Sequence, residues 1–265
     1  MKILILPDIH GRTFWKKPCE NPKEFDLIIF LGDYLDPYES IDGITKEEAY
    51  NNFKEILEFI NTNSNVIPLI GNHDWHYFVN LDVCRMDKAR EHDIEKLFKN
   101  NISKFKLTYT VEFKDIKYLF SHAGITNNWL NDVANLAKYE VSEWKPLPGS
   151  DFDIDKDYLW IEALSKINET YDFSLLEKCL QQYDNSFYSC PISMISRERG
   201  GWYPYGSCIW ADIREHLSNE KVKDFYQIFG HTYAKNSIIE ENFAMLDSGN
   251  SSYILDENKN IIRYE

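Results

Sequence analysis

Short apolar runs alternate with polar loops along the first half of the chain and again near its end. Each run is rich in Ile, Leu or Phe and stops abruptly at Gly, Asp, Asn or His, which is typical of a buried strand that enters a loop. We predict six such strands, at residues 2–6, 25–31, 66–70, 117–120, 225–229 and 244–246. Because the carboxyl ends of parallel strands lie at one edge of a sheet, we expect the polar residues that follow them to meet in one crevice.

Helical patterns lie between these strands. Thr45 followed by Glu48 predicts a capping box, and the apolar residues after it keep helical spacing to about residue 61. Two predicted hairpins, with turns at Lys114-Asp115 and Glu257-Asn258, make the sheet content mixed rather than purely parallel. Further helices are predicted over residues 87–100, 128–139, 155–170 and 174–183.

The chain of 265 residues has the length of one large domain, or of one domain that carries an insertion. The strand-to-loop pattern stops over residues 127–224, where helical signals dominate. This block lies between two of the motif strands. We therefore predict a single domain spanning residues 1–265, with a mainly helical insertion at residues 127–224.

Composition and charge restrict the partners. The chain is 43% hydrophobic and carries 29 Lys plus Arg against 43 Asp plus Glu, a net charge of −14 that repels phosphate backbones and disfavours nucleic acid. Its five cysteines stand singly, which favours a reducing compartment. Neither a signal-like segment nor a run of apolar residues of membrane-spanning length stands out, so we expect a cytoplasmic protein without a membrane partner.

The polar residues after the strands offer nitrogen and oxygen ligands without thiolate. Such a set suits Mn²⁺, Fe, Zn²⁺ or Ni²⁺, and six ligands exceed what one tetrahedral ion uses, so a pair of ions is implied. Two ions bridged by a carboxylate can hold a hydroxide as the nucleophile for phosphoester hydrolysis. The candidate ligands are two carboxylates, an amide and three imidazoles: Asp8, His10, Asp33, Asn72, His122 and His231.

Five short motifs stand in a fixed order along the chain. Each is weak alone, but the ordered set resembles the calcineurin-like metallophosphoesterases, which include serine/threonine phosphoprotein phosphatases and diadenosine tetraphosphatases. The resemblance implies an α/β four-layer sandwich, in which two mixed β-sheets are flanked by helices, with the helical insertion added. The motifs are Asp8-Ile9-His10-Gly11, Gly32-Asp33-Tyr34-Leu35-Asp36, Gly71-Asn72-His73-Asp74, His122-Ala123-Gly124 and Gly230-His231-Thr232.

The resemblance also implies a role for each of these residues. One ion would be held by Asp8, His10 and Asp33, and the second by Asp33, Asn72, His122 and His231, with Asp33 as the bridge. Asn72 would also contact the substrate. His73 would be the general acid, oriented by Asp36. Among divalent ions Mn²⁺ is favoured, with Fe, Zn²⁺, Ni²⁺ and Mg²⁺ as alternatives.

One departure concerns the phosphate clamp. Phosphoprotein phosphatases follow Gly-Asp-x-x-Asp with Arg-Gly, whereas Pro37 and Tyr38 stand here. Residues 196–201 and 206–212 resemble the Arg-Gly-Gly and Trp-(Ala/Ser)-Asp elements of some bacterial and phage branches of the superfamily. The predicted substrate-binding arginines are therefore Arg199 first and Arg197 second, with Arg12 as the next residue to test.

Four other polar residues are predicted to have ordinary roles. His76, His92 and His216 lie on polar, helix-like stretches and are expected at the surface. Asp247 is expected to be a turn carboxylate that bonds its own backbone.

The predicted function is hydrolysis of phosphomonoesters, either phosphoprotein or small molecule, by a metal-bridging hydroxide. A dinucleoside polyphosphate hydrolase and a phosphodiesterase or nuclease remain alternatives, and the negative charge counts most against the nuclease. A catalytically silent scaffold is disfavoured because none of the motif ligands is substituted. The sequence leaves the oligomeric state open.

Overall fold

Two five-stranded sheets form the centre of the protein, in a computed structural model that describes residues 1–79, 83–136, 154–181, 191–218, 222 and 224–264. The first sheet contains β1 (Ile3–Leu6), β2 (Leu27–Phe30), β3 (Val66–Pro68), β9 (Ser252–Leu255) and β10 (Ile261–Tyr264), in the order β10-β9-β1-β2-β3. The second contains β4 (Thr108–Phe113), β5 (Ile116–Ser121), β6 (Phe225–Phe229), β7 (Ile238–Ile239) and β8 (Phe243–Met245), in the order β4-β5-β6-β8-β7.

Both sheets are mixed, as predicted. Strands β1, β2 and β3 run parallel, and β9 joins β1 in antiparallel register. In the second sheet β5, β6 and β8 are parallel, whereas β4 and β7 are antiparallel to their neighbours. The β4–β5 hairpin turns at Lys114 and Asp115, whose φ angles of 49° and 63° are those that a two-residue hairpin turn requires.

Helices connect and cover the sheets: α1 (Glu39–Asp42), α2 (Lys46–Thr62), α3 (Asn72–Val79), α4 (Glu91–Asn101), α5 (Asn127–Leu136), α6 (Ile154–Thr170), α7 (Ser174–Gln181) and α8 (Ile213–Ser218). Helix α2 begins with the predicted capping box between Thr45 and Glu48. The helix predicted at residues 87–100 begins only at Glu91, because residues 87–90 form turns closed by an Arg90 N–H to Asp87 carbonyl bond. Residues 137–139, 182 and 183, predicted as helix ends, lie outside the described residues.

Helix α3 begins within a motif that was predicted to be a loop. Its first turn contains Asn72 and His73, which the polar motif placed in a loop. The Gly71 carbonyl accepts a bond from the Trp75 N–H, so the helical hydrogen bonds begin at the motif itself. Both side chains are therefore fixed by a regular backbone.

Alternation along β1 and β2 places successive side chains in different layers. Ile3, Ile5 and Ile29 face the second sheet, where they share a core with Phe120 and Ile228. Their neighbours on the opposite face, Leu4, Leu6, Ile28 and Phe30, share a core with residues of α2. On the outer side of the second sheet, Ile213 of α8 packs on Phe229, Phe243 and Met245. The predicted four-layer arrangement of helix, sheet, sheet and helix is therefore confirmed.

The helical block packs against the helix that carries His73. The indole of Trp75 in α3 donates a hydrogen bond to the Ser193 hydroxyl at 2.9 Å and lies 6.2 Å from the Trp160 ring of α6. The limits of the predicted insertion, residues 127–224, stay a prediction. None of the helices in the described ranges is long and apolar enough to cross a membrane.

Candidate metal centre

The six candidate ligands all follow strands and meet between the two sheets. Asp8 follows β1, Asp33 follows β2, His122 follows β5 and His231 follows β6, while Asn72 begins α3. All six are buried. The donor atoms of five of them form two groups, each within 4.8 Å: Asp8, His10 and Asp33 in one, and Asp33, His122 and His231 in the other. The sixth, Asn72, has its Oδ1 3.0 Å from Nε2 of His122. The structure thus brings the predicted ligands together in two clusters that share Asp33.

Asp33 occupies the middle of the site. Its Oδ2 lies 3.4 Å from Nε2 of His10 and 3.5 Å from Nε2 of His122. Its backbone has a φ of 53°, a left-handed conformation that few non-glycine residues adopt. A Cβ on Gly71 would lie 2.1 Å from the Asp33 Oδ1, so glycine is required beside this carboxylate.

Asp74 holds the backbone around Asp33. Its buried carboxylate accepts bonds from the N–H groups of Asp33 at 2.7 Å, Tyr34 at 2.9 Å and Gly71 at 2.8 Å. These three bonds tie the loops that follow β2 and β3 to each other. The fourth residue of the Gly71-Asn72-His73-Asp74 motif therefore positions the shared ligand.

Hydrogen bonds to backbone carbonyls fix the orientation of two imidazoles. Nδ1 of His10 donates to the Leu35 carbonyl at 2.9 Å, and Nδ1 of His122 donates to the Leu31 carbonyl at 2.8 Å. Because a carbonyl can only accept, Nδ1 carries the hydrogen in both rings, and Nε2 is the nitrogen that faces the cluster. The His122 Nε2 then faces Nδ1 of His231 at 3.1 Å. A lone pair on the His122 Nε2 that faces a carboxylate and a second imidazole nitrogen fits a bound cation.

Burial sets the protonation of the ligands. It lowers the pKa of His10 to about 3 and that of His231 well below its usual value. Burial opposes the charged form of Asp33, but attraction to the positive charge that the nearby histidines carry when protonated outweighs burial and holds the pKa of that carboxyl well below its usual range. The neutral form of an imidazole and the ionised form of a carboxyl are the states that coordinate a metal.

The charged form of Asp8 is disfavoured within the cluster. Burial, together with the charge of Asp33, raises its pKa, although the His231 N–H donates to both of its carboxylate oxygens at 3.0 Å. A divalent cation between these groups removes the repulsion between the two carboxylates. The residues present therefore fit two divalent ions, one at Asp8, His10 and Asp33, and one at Asp33, Asn72, His122 and His231.

His73 and Asp36 form a pair beside the first cluster. Nδ1 of His73 lies 2.9 Å from Asp36 Oδ2, and the His73 ring is 5.2 Å from the His10 ring. The other Asp36 oxygen accepts a 2.6 Å bond from the Tyr77 hydroxyl, which itself accepts the Asp87 N–H. The backbone N–H of His73 donates to Asp33 Oδ1 at 2.8 Å, which fixes the start of α3 on the shared ligand.

Arg85 is a site residue that sequence reasoning missed. Its guanidinium lies 2.7 Å from Nε2 of His73 and donates to the Asp36 carbonyl at 2.7 Å. The guanidinium carbon stands 3.6 Å from the centroid of the Tyr38 ring, and the Arg85 φ of 70° is left-handed. No motif surrounds Arg85; the one signal in the sequence is the missing arginine after Asp36.

The predicted clamp arginines lie in different environments. Arg199 approaches the second cluster, since its guanidinium donates to the His231 carbonyl at 3.3 Å and lies 3.4 Å from Asp212. Arg197 is exposed, and within the described ranges no hydrogen bond or ion pair joins its side chain to the cluster. Arg12 is paired with Asp42 at 2.9 Å on the rim of the site.

Two histidines expected at the surface are buried. His76 lies on the inner face of α3, 5.5 Å from the His73 ring, and His216 of α8 contacts the Phe229 ring at 4.5 Å and the Ala123 carbonyl at 3.0 Å. Burial lowers the pKa of each to about 4. The surface prediction is wrong for both because these short helices bury polar as well as apolar positions against the sheet and the site. It is confirmed for His92, which is fully exposed.

Asp247 makes the predicted bond to its own backbone, accepting the Gly249 N–H at 3.3 Å. It is also buried near Asp8, and burial, with the charge of Asp8, raises its pKa to about 8. Its carboxyl therefore belongs to the surroundings of the metal centre as well as to a turn.

Two mixed sheets with carboxylates, an amide and imidazoles at the strand ends define a metallophosphoesterase. The comparison with known families agrees: residues 1–235 match the family described as calcineurin-like phosphoesterase. The chain belongs to this family, whose members are dinuclear metal-dependent phosphoesterases.

Solved structures of low identity also align along the whole chain. An archaeal phosphodiesterase is 13% identical, with a TM-score of 0.39, and the alignment covers 100% of this chain and 99% of that one. Yfce, a phosphoesterase from E. coli, is 10% identical, with a TM-score of 0.38 and coverage of 100% and 98%. No curated protein sequence matches the chain.

Proposed function

We propose that the protein is a dinuclear metal-dependent phosphomonoesterase, with Mn²⁺ as the first ion to test. The observation that carries the proposal is the pair of buried ligand clusters that share Asp33, with the His73–Asp36 pair beside them. A pair of divalent cations held there would activate water as a nucleophile and neutralise charge on the phosphoryl group.

The proton for the leaving group comes from His73. Its Nδ1 is held by Asp36, so the opposite nitrogen, Nε2, is the one that can face a substrate once the Arg85 guanidinium, 2.7 Å away, turns to the phosphoryl oxygens. Asp36 is itself fixed by Tyr77, which keeps the imidazole in one orientation. An oriented imidazole at this position protonates the departing oxygen as the phosphorus–oxygen bond breaks.

Two guanidinium groups favour a monoester over a diester. Arg85 lies on the His73 side of the site and Arg199 on the His231 side. A phosphomonoester presents a dianion with oxygens left over after two of them face cations, and each planar guanidinium can take such oxygens. A diester carries one charge less and has fewer free oxygens for the same donors.

The deciding experiment compares the two ester classes on one metal-loaded preparation. Metal-depleted protein is reconstituted with Mn²⁺ and assayed on phenyl phosphate and on bis-p-nitrophenyl phosphate. The proposal predicts the higher kcat/KM for phenyl phosphate. A higher value for the diester would make the protein a phosphodiesterase, and hydrolysis of neither, with no stoichiometric metal bound, would indicate a binding scaffold.

A further inference from the structure

A cavity of about 550 Å³ adjoins the metal centre at His10. We call it the flanking cavity. It is lined by segments from opposite ends of the chain, among them residues Arg12, Tyr38, Asp42, Tyr233 and Asn250. Its volume falls within the range of about 300–1,000 Å³ that small-molecule sites occupy. Since it opens beside a cluster ligand, a group attached to a phosphate at the metals can extend into it.

One wall of the flanking cavity is a fixed aromatic ring. Tyr38 packs against the guanidinium of Arg85 at 3.6 Å and against the edge of the His10 ring at 5.1 Å, yet 36% of it stays exposed. Because these contacts already fix the ring, little further conformational entropy of Tyr38 is lost when a ligand binds against it.

A second ring comes from the far end of the chain. Tyr233 follows the Gly230-His231-Thr232 motif and is 68% exposed. Gly249 lies beside it: a Cβ there would be 3.8 Å from the Tyr233 ring, and its φ of 80° is one that glycine adopts freely. A large exposed aromatic side chain at the mouth of a cavity buries most of its surface when a flat ligand covers it.

Polar groups complete the flanking cavity. Arg12 is held by Asp42 through Nε at 3.0 Å, and the amide of Asn250 is part of the lining. Two aromatic rings with an amide and a guanidinium at the edge match a planar ring that carries polar atoms. The chain's net charge of −14 favours a small ligand over a polymeric one.

We propose that the flanking cavity binds a planar aromatic group carried by the phosphoester substrate. Two sources share this chemistry: an aryl ring bonded directly to the ester oxygen, and a nucleobase one sugar away. The proposal rests on the proposed phosphoesterase function for the phosphate end of the ligand. Binding of the aromatic end depends on Tyr38 and Tyr233, and this binding can be tested without turnover.

The test measures affinity by NMR titration of the metal-depleted full chain. The probes are phenyl phosphate, adenosine 5′-phosphate and ribose 5-phosphate, which carry an aryl ring, a nucleobase and no aromatic group. We expect one or both aromatic probes to bind more tightly than ribose 5-phosphate, and the tighter one identifies the source. Tyr233→Leu should weaken that probe by about 5- to 150-fold, the scale of one stacking contact, and leave ribose 5-phosphate unchanged. Tyr38→Leu should weaken the aromatic probe by more than it weakens ribose 5-phosphate, because Tyr38 also packs on Arg85.

Trp202→Leu is the matched control, because Trp202 is 90% exposed and is not part of the cavity lining. Equal affinity of all three probes for the wild type would overturn the proposal, as would equal losses in Trp202→Leu and the tyrosine variants. If the aromatic preference holds but the Mn²⁺-loaded protein hydrolyses none of the probes, the cavity assignment stands and the proposed function fails.

Discussion

Arg85 and Asp36 bind the two opposite nitrogens of one imidazole, with the Arg85 guanidinium 2.7 Å from Nε2 of His73 and Asp36 2.9 Å from Nδ1. Because a guanidinium can only donate, Nε2 accepts in this arrangement and Nδ1 donates to Asp36. Proton donation from Nε2 requires the guanidinium to move to another acceptor and Nε2 to take up a proton from solvent, so that the ring donates as an imidazolium. The phosphoryl oxygens of an arriving substrate are such acceptors.

Loss of Arg85 should weaken phosphate binding. Arg85→Met should reduce kcat/KM for phenyl phosphate by about 10- to 100-fold, the scale of a charged hydrogen bond, and raise the inhibition constant of inorganic phosphate in parallel. Arg90→Met is the control, since Arg90 lies on the same segment but pairs with Asp87 and Glu47. An unchanged inhibition constant of inorganic phosphate in Arg85→Met would show that Arg85 contacts His73 but does not bind the phosphate.

The general acid should be revealed by its dependence on the leaving group. His73→Asn should lose about 10²- to 10⁴-fold in kcat on an alkyl phosphate and far less on p-nitrophenyl phosphate, whose leaving group departs without a proton. Asp36→Asn should show the same pattern with smaller losses, because it orients the imidazole. Equal losses on both substrates would mean that His73 binds the phosphate rather than protonates the leaving oxygen.

The shared carboxylate should control both cations. Asp33→Asn should lower the Mn²⁺ content at both positions, because Asp33 lies within reach of the ligands of each cluster. Asp26→Asn, at an exposed position that contacts the amino terminus, removes the same charge and should retain the metal. Normal content of both ions in Asp33→Asn would refute the bridging role.

Acid should destabilise the fold through buried neutral histidines. Burial lowers the pKa of His216 to about 4 from 6.5, so between these pH values the unfolded chain binds a proton that the folded chain does not. The resulting destabilisation is absent above about pH 6.5 and complete below about pH 4. There it lowers the free energy of unfolding by about 3 kcal/mol. Urea unfolding from pH 7 to 4.5 should show a steep loss of stability that is shallower in His216→Leu. Equal slopes of the unfolding free energy against pH in the two proteins would show that a group other than His216 takes up the proton.

The strands and the motif residues were predictable because a buried strand and the loop after it each have a local signal, an apolar run followed by polar turn residues. The apolar runs at residues 2–6 and 225–229 correspond to β1 and β6, and the polar residues after them meet as expected. Asp8 and His231 follow strands of different sheets, so their contact depends on how the two sheets pack as well as on the end of each strand.

The features that were missed depend on tertiary contacts. Nothing local to His76 or His216 shows that α3 and α8 bury these side chains. Arg85 reaches His73 through a left-handed backbone and a tyrosine ring that come together only in the fold. Spacing arguments favoured Arg199 because glycines follow it, whereas the arginine beside the general acid has no such neighbours.

The number of cations that the protein needs tests the central claim most directly. Metal-depleted protein is titrated with Mn²⁺, and bound metal per chain and hydrolysis of phenyl phosphate are measured on the same samples. The account predicts two bound ions per chain, with activity that follows the filling of the second. Full activity after exhaustive chelation, or activity that is complete with one ion per chain, would contradict it.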